Sequence, residues 1–230
     1  MKESAKSASK LTRRVGRPSV AVLTRELIAE AGLRLLDEGG ADGFTMARLA
    51  AVLGVRPSAL YNHVEGKDDV IASIRELISD RIDVSAFASR SWDDALVEWA
   101  YSYRHAFASH PPTIAILATM PLNGARRTMR MYEVVVGALG RAGWPEPEIL
   151  PSVVALESFI LGSALDATAP GDMFDPADAA DEVPAFASAY RARRDAIGDV
   201  PPADGAFALG LRAMVDGMRM RRSALDRAQG

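Results

Sequence analysis

The chain has 230 residues, 49% of them hydrophobic, with a mean hydropathy of +0.02, the balance of a globular protein with a core rather than of a disordered tail. It has no cysteine and only three histidines, which excludes a disulfide framework, a thiol nucleophile and a cysteine-based zinc site, and leaves no nucleophile–base set to name for an enzyme. Net charge is −3, yet residues 1–25 carry Lys2, Lys6, Lys10, Arg13, Arg14, Arg17 and Arg25 against Glu3, a local +6, so the other 205 residues carry −9. A basic end on an acidic body fits a protein that touches nucleic acid at one end only.

Residues 1–20 are polar, basic and without periodicity, and are expected to form a flexible arm. Arginine, glycine and proline stand together in Arg13-Arg14-Val15-Gly16-Arg17-Pro18, as in minor-groove arms, so Arg14 or Arg17 could enter a narrow groove on binding. The arm is not followed by an apolar run and so is not a secretory signal. The most apolar stretch, Val153 to Leu165, contains Glu157 and two serines and is too short to cross a bilayer. A cytoplasmic protein without a membrane segment is expected.

Leu27, Ile28, Ala31 and Leu35 follow a helical period from Leu23 to Glu38, and Gly39-Gly40 ends it. Gly43 to Lys67 reads as two short helices and a tight turn. Thr45 is placed to cap the first, whose inner face is Met46, Leu49, Ala50 and Leu53. Gly54 follows, where a left-handed residue is cheapest, and Pro57 opens the second helix. Leu60 and Val64 face inward, which leaves Ser58, Tyr61, Asn62 and His63 outward, the arrangement of a helix-turn-helix with its recognition helix second. Residues 21–66 thus form a DNA-binding unit, and 67–230 a larger helical domain for ligand binding and dimerisation.

The stripe Val70, Ile71, Ile74, Leu77, Ile78, Ile82 predicts a brace helix from Lys67 to about Val84, nearly five turns long. Further helices are expected over Trp92–Ser109, Thr113–Thr119, Ala125–Ala142, Pro147–Ala167, Pro184–Ala196 and Asp204–Leu225. The 147–167 segment is apolar nearly all round, which implies burial on more than one side. Residues 168–183, rich in Pro, Gly, Asp and Ala, read as a long loop. No stretch alternates with period two, so the fold class is all-α. His105 reads as a partly buried core residue and His110-Pro111 as a helix stop.

The pattern T-x-x-x-L-A-x-x-L-G-V-x-x-x-x-L-Y-x-H-V-x-x-K, running from Thr45 to Lys67, resembles the DNA-binding signature of the TetR family of transcriptional regulators. The resemblance implies phosphate contacts from Tyr61, His63 and Lys67. Base reading is then expected from Arg48, Arg56, Pro57, Ser58 and Asn62, an arginine on guanine being the strongest such pair. Thr45, with Arg14 and Arg17 from the arm, completes the DNA-facing set.

Through Ser91-Trp92, Arg104, Ser109-His110, Thr119, Pro121 and Leu156–Leu165 the similarity continues, more weakly, toward the tetracycline repressor's own class. That class buries its inducer behind the fourth helix and pairs its last long helices with a second subunit. Two departures stand out. Ile116 occupies the place of a magnesium-ligating histidine, and Asp83, Trp99 and Tyr103 align with drug-contacting residues. The implied effector is therefore not a magnesium–drug complex but a larger apolar or aromatic molecule bounded by Ile82, Phe87, Trp99, Tyr103, Leu117, Met120 and Phe159, with Asp83 or Thr119 as polar handles. No metal or cofactor is expected. The expected activity is repression, relieved by that effector, from a pseudo-palindromic operator on double-stranded DNA bound by a homodimer. The competing reading is a helical small-molecule sensor or carrier without DNA binding. The basic arm and the intact Tyr61, His63 and Lys67 count against it.

Overall fold

A computed structural model describes residues 22–198 and 200–229; the arm, with Arg14 and Arg17, lies outside the described residues. Among those described there are helices and turns but no strand. The N-terminal unit begins with α1 (Arg25–Gly43), whose first free N–H groups are capped by Thr24 Oγ1, 3.2 Å from Leu27 N. The chain leaves helical geometry at Gly40 (φ 60°), at the glycine pair expected to stop it, before a final turn to Gly43. Ile28, Ala31, Leu35 and Leu36 bury the inner face of α1 against α2 (Met46–Val52), α3 (Pro57–Leu60) and α4 (Lys67–Ser79). Gly32 sets how closely α1 meets α4: a Cβ there would lie 3.1 Å from Ile74, Val70 and Phe44 side-chain atoms.

The brace helix is shorter than its apolar stripe suggested. α4 has 13 residues and ends at Ser79, after which Arg81 and Ile82 bond the carbonyls three residues back. Ile82 is buried all the same, delivered inward by this turn rather than by a fifth helical turn. A 3₁₀ turn (Ser85–Ala88) leads to α5 (Trp92–Ala108), capped by Ser91. α5 is the axis of the C-terminal domain and packs against α4, α7 (Arg126–Arg141), α8 (Glu146–Asp166) and α10 (Pro202–Gln229). Between α5 and α7 lie a 3₁₀ turn (Pro111–Thr113) and the single-turn α6 (Ile114–Leu117). Residues 168–183 are not a featureless loop: turns and a 3₁₀ helix (Ala177–Asp181) lead into α9 (Pro184–Ile197).

α8 is long and apolar enough to cross a membrane by length and composition, with a mean hydropathy of 1.5. Its side toward the protein is Ile149, Val153, Leu156, Ile160 and Ala164, packed on α5, α7 and α10. Contrary to expectation, the opposite side is not covered by the described residues: Leu150, Val154 and Leu165 are exposed. α10 repeats the pattern, with Phe207, Leu211 and Val215 buried and Leu209 and Met220 each 73% exposed.

His110 does more than stop a helix. Arg81 can only donate, so the 2.6 Å contact of its Nη1 makes His110 Nε2 the acceptor. Nδ1 then carries the proton and donates it to Asp37 of α1 at 2.8 Å. The imidazole therefore ties the DNA-binding unit to both the end of α4 and the ligand domain. His110→Ala is expected to cost about 1–2 kcal/mol, since both bonds involve a charged partner but the group is partly solvated. A shift in the urea midpoint at constant slope measures it. His105, by contrast, is exposed on α5 and is no core residue.

Candidate DNA interface and buried cavity

The helix-turn-helix is built by local rules. Thr45 Oγ1 accepts from Arg48 N at 3.2 Å and starts α2, while Leu49 and Ala50 bury its inner face. The chain reverses at Gly54 (φ 66°), with Gly54 N on Ala51 O and Val55 N on Ala50 O. Only glycine adopts this conformation without penalty. Gly54→Ala is therefore expected to cost about 1–2 kcal/mol, visible as a lowered unfolding midpoint, although open space surrounds the site. Pro57 opens α3 as expected, but the regular helix lasts only to Leu60 and continues as a turn through His63, closed by Val64 N on Leu60 O. Leu60 and Val64 anchor this segment in the core.

Arg56, Pro57, Ser58, Tyr61, Asn62, His63 and Lys67 are all exposed on one continuous stretch, Tyr61 at 54%. Lys67 begins α4, with Nζ 5.5 Å above the Phe44 ring. Thr45 is exposed beside them with its hydroxyl engaged in capping. Arg48 is exposed too, but its guanidinium is engaged: Nη1 donates to Gly43 O at 2.8 Å, at the end of α1. A residue not foreseen, Arg25, holds the recognition turn in place. It donates to His63 O and Ser73 Oγ and pairs with Asp69, whose other oxygen accepts from Glu65 N. α1, the recognition segment and the start of α4 are thereby bonded into one unit.

A small pocket of about 40 Å³, open to solvent beside Ala118 and Leu122, lies behind α4, bounded by α5, α6, α7 and α8. A more voluminous cleft, about 510 Å³, opens to solvent between α1, α4 and the start of α7, and the charged side chains Arg25 and Asp69, Arg127 and Glu26 in its walls are paired with each other. The pocket behind α4 is the more closed of the two and is lined from α4, α5, α6, α7 and α8, so a small molecule that parts its walls would be largely desolvated there. Of the ten residues foreseen as its lining, Tyr103 and Leu117 reach it. Trp99 is wholly buried beneath Tyr103, edge to face at 5.3 Å, and Ile82 and Phe87 are buried without lining the cavity. Ile116 and Met120 are half-buried outside it. Asp83 is exposed and caps Ser85 N, and Thr119 is exposed with its hydroxyl on Ala115 O, so neither is a handle. Phe159 lies on another side of α8, stacked on Phe207 at 5.5 Å and over Gly210, where a Cβ would meet the ring at 2.6 Å.

The polar centre of the cavity is Glu157, which had served in the sequence only to interrupt an apolar run. Its Oε1 accepts from Tyr103 OH at 2.5 Å and from Tyr132 OH at 2.6 Å. Burial, with Glu157 adding to it, pushes both phenols up, so they stay protonated and donate. Arg75, 4% exposed, crosses from α4 to donate to Leu117 O and Pro121 O at 2.7 Å and to Met120 O at 2.8 Å. Burial lowers its pKa, opposed by Tyr132, Tyr103, Glu157 and Glu76. Glu76 caps the start of α7, accepting from Arg127 N, Thr128 N and Thr128 Oγ1, and Ser79 Oγ joins Thr128 Oγ1 at 2.8 Å. These partners stand tens of residues apart, beyond the reach of any local pattern.

Residues 28–74 match the family described as bacterial regulatory proteins, tetR family, and residues 88–222 match the tetracyclin repressor-like C-terminal domain. The chain belongs to the TetR family. The tetracycline repressor protein class A from transposon 1721 of Escherichia coli is 29% identical over 207 residues, 88% of this chain and 94% of that protein. An HTH-type transcriptional regulator of Saccharopolyspora erythraea is 30% identical over 142 residues, 62% of this chain, and the match spans only 60% of that regulator's length. Apo ActR of Streptomyces coelicolor shares the fold, with a TM-score of 0.73 at 22% identity over 89% of this chain and 99% of its own. ActR is also known in complex with actinorhodin. The first match runs from within α1 to Ile74 of α4, and the second from Ala88, before α5, into α10. Ile116 offers no donor to a metal, so a magnesium-chelating drug has no ligand at that position.

Proposed function

We propose that this TetR-family chain is a ligand-responsive, DNA-binding transcriptional regulator, acting in the cytoplasm and without enzymatic activity, most simply as a repressor that a small effector releases from its operator. One observation carries the reading: α4 is bonded at both ends. Its start, through Asp69 and Arg25, holds the recognition turn, and Arg75, two turns on, grips the last carbonyls of α6 at the cavity wall. A molecule that displaces α6 acts on Arg75, hence on the angle of α4, hence on the spacing of two recognition helices. Such a coupling is typically about 1–3 kcal/mol. Tyr61, His63 and Lys67 are the phosphate contacts in this reading, and Arg56, Ser58 and Asn62 the exposed candidates for base edges, with Arg48 joining them only after leaving Gly43. The effector class proposed is apolar or aromatic, from the side chains Tyr103, Phe107, Leu117 and Leu161 around the pocket.

The homodimer is proposed on the two unpartnered stripes, Leu150, Val154, Ser158, Gly162 and Leu165 of α8 and Leu209, Ala213, Gly217 and Met220 of α10. Each runs at helical spacing with a glycine at which another helix can approach closely. Val154→Arg would bury a charge at that contact and is expected to give a monomer by sedimentation velocity at micromolar concentration. A persisting dimer would move the interface elsewhere.

The function is tested by mobility shift on DNA flanking the chain's own gene across a salt series. A shift that weakens steeply with salt and with Tyr61→Ala supports the regulator. Retarded DNA indifferent to both, or none at all, favours the sensor or carrier without DNA binding.

A further inference from the structure

The reading above leaves open what the cavity recognises, and Glu157 narrows it. Both tyrosine hydroxyls fall on the same oxygen, Oε1, while Oε2 has no hydrogen-bond partner among the described residues. The nearest cation does not serve it. Arg75 spends its bonds on three backbone carbonyls and lies in the field of two carboxylates, Glu157 and Glu76. Around this part of the pocket there is therefore one guanidinium for two carboxylates, and Oε2 of the half-buried Glu157 is open to a donor that enters from outside. The remaining walls present aromatic faces: Tyr103 and Phe107 are stacked at 5.1 Å, and Tyr132 stands across from them. A carboxylate beside π faces is the combination that favours an ammonium group.

Resting on the effector-cavity reading, we propose that the effector is an organic cation, an aromatic or apolar body bearing a protonated amine that pairs with Glu157 Oε2 between Tyr103, Phe107 and Tyr132. A neutral molecule of the same shape gains no ion pair with Oε2, and an anion is repelled by Glu157 and Glu76, which the two N–H groups that Arg75 leaves unbonded offset only in part. The apolar body enters toward Leu117 and Leu161, which must part to admit it, since the pocket as it stands has about 40 Å³ of room. Binding there places the ligand against the α6 carbonyls that Arg75 holds.

The test uses three probes of one shape, 1-naphthylmethylamine, 1-naphthylmethanol and 1-naphthoate, titrated calorimetrically at neutral pH into the full-length protein. The amine is expected to bind about tenfold tighter than the alcohol, with no saturable binding of the naphthoate. Glu157→Gln is expected to bring the amine down to the alcohol's affinity, whereas Tyr132→Phe, which keeps the carboxylate, retains the preference. Equal or tighter binding of the alcohol or naphthoate, absence of saturable amine binding, or an amine preference that survives Glu157→Gln overturns the assignment. If Glu157→Gln does not fold, the order of the three probes on the wild-type protein decides alone. Operator binding without any probe is measured separately, so loss of the regulator reading and loss of the cation assignment are told apart. A neutral or anionic probe that binds and releases DNA keeps the first and sinks the second.

Discussion

Arg75→Ala is expected to lower the unfolding free energy by about 3–5 kcal/mol, the largest stability loss among these substitutions. The guanidinium is buried and makes three charge-assisted bonds to Leu117, Met120 and Pro121, the carbonyls that end α6 and begin the following loop. Alanine leaves the buried Leu117 carbonyl without its donor and strips Glu157 and Glu76 of the cation whose field they share in the pocket wall. Arg75→Lys recovers only part, because an ammonium cannot span three carbonyls as a planar fork does. Chemical denaturation gives the cost; a loss under about 1 kcal/mol for alanine would mean that water replaces the clasp. The lysine variant carries the functional half of the expectation. Folded but loosely tied to α6, it should bind operator DNA while responding less to effector. An unchanged response would place the coupling through another contact, with the His110 bridge to Asp37 and Arg81 the next to examine.

The parts of this molecule that were legible in its sequence are those specified within a few residues. Thr45, Gly54 and Pro57 write a cap, a left-handed turn and a helix start at fixed offsets, and the structure places each in that role. The extent of α4 was overread for a physical reason. An apolar stripe records which residues face the core, and Ile82 faces it from a turn as well as it could from a helix. The cavity was read poorly because its logic is long-range. Glu157 meets Tyr132 and Tyr103 from positions 25 and 54 residues away, and Arg75 meets α6 from 42 or more. A charged residue inside the most apolar helix was the available signal, since a carboxylate is placed there only with partners. Phe159 was misassigned because hydrophobicity does not say which side of α8 it serves. Gly210, the residue that makes room for its ring, lies on α10 and gives no hint of its neighbour in sequence.

Tyr61→Ala and Lys67→Ala should each weaken operator binding about 10–100-fold, the loss of one bond to a charged phosphate at about 1.5–3 kcal/mol, while leaving folding nearly untouched. The structure argues for the separation. Tyr61 is a large aromatic left mostly exposed in a segment whose anchors are Leu60 and Val64, so its removal opens no core. Lys67 is placed against its own helix. As the first residue of α4 it adds positive charge where the helix dipole is already positive, ahead of Asp68 and Asp69, which suit that end. The Phe44 face 5.5 Å from Nζ offsets that cost by at most about 0.5–1 kcal/mol, so Lys67→Ala is expected to leave stability nearly unchanged. Across a salt series the double variant should flatten the dependence of log affinity on log salt by about 1, because the lysine neutralises a phosphate and the tyrosine only bonds one. Arg48→Ala provides the contrast. Its guanidinium closes the end of α1 on Gly43 O, so it should lose about 1 kcal/mol of stability even without DNA. If Arg48 also reads a base, that variant alone among the three relaxes the operator's sequence preference, whereas the two phosphate variants weaken every sequence alike.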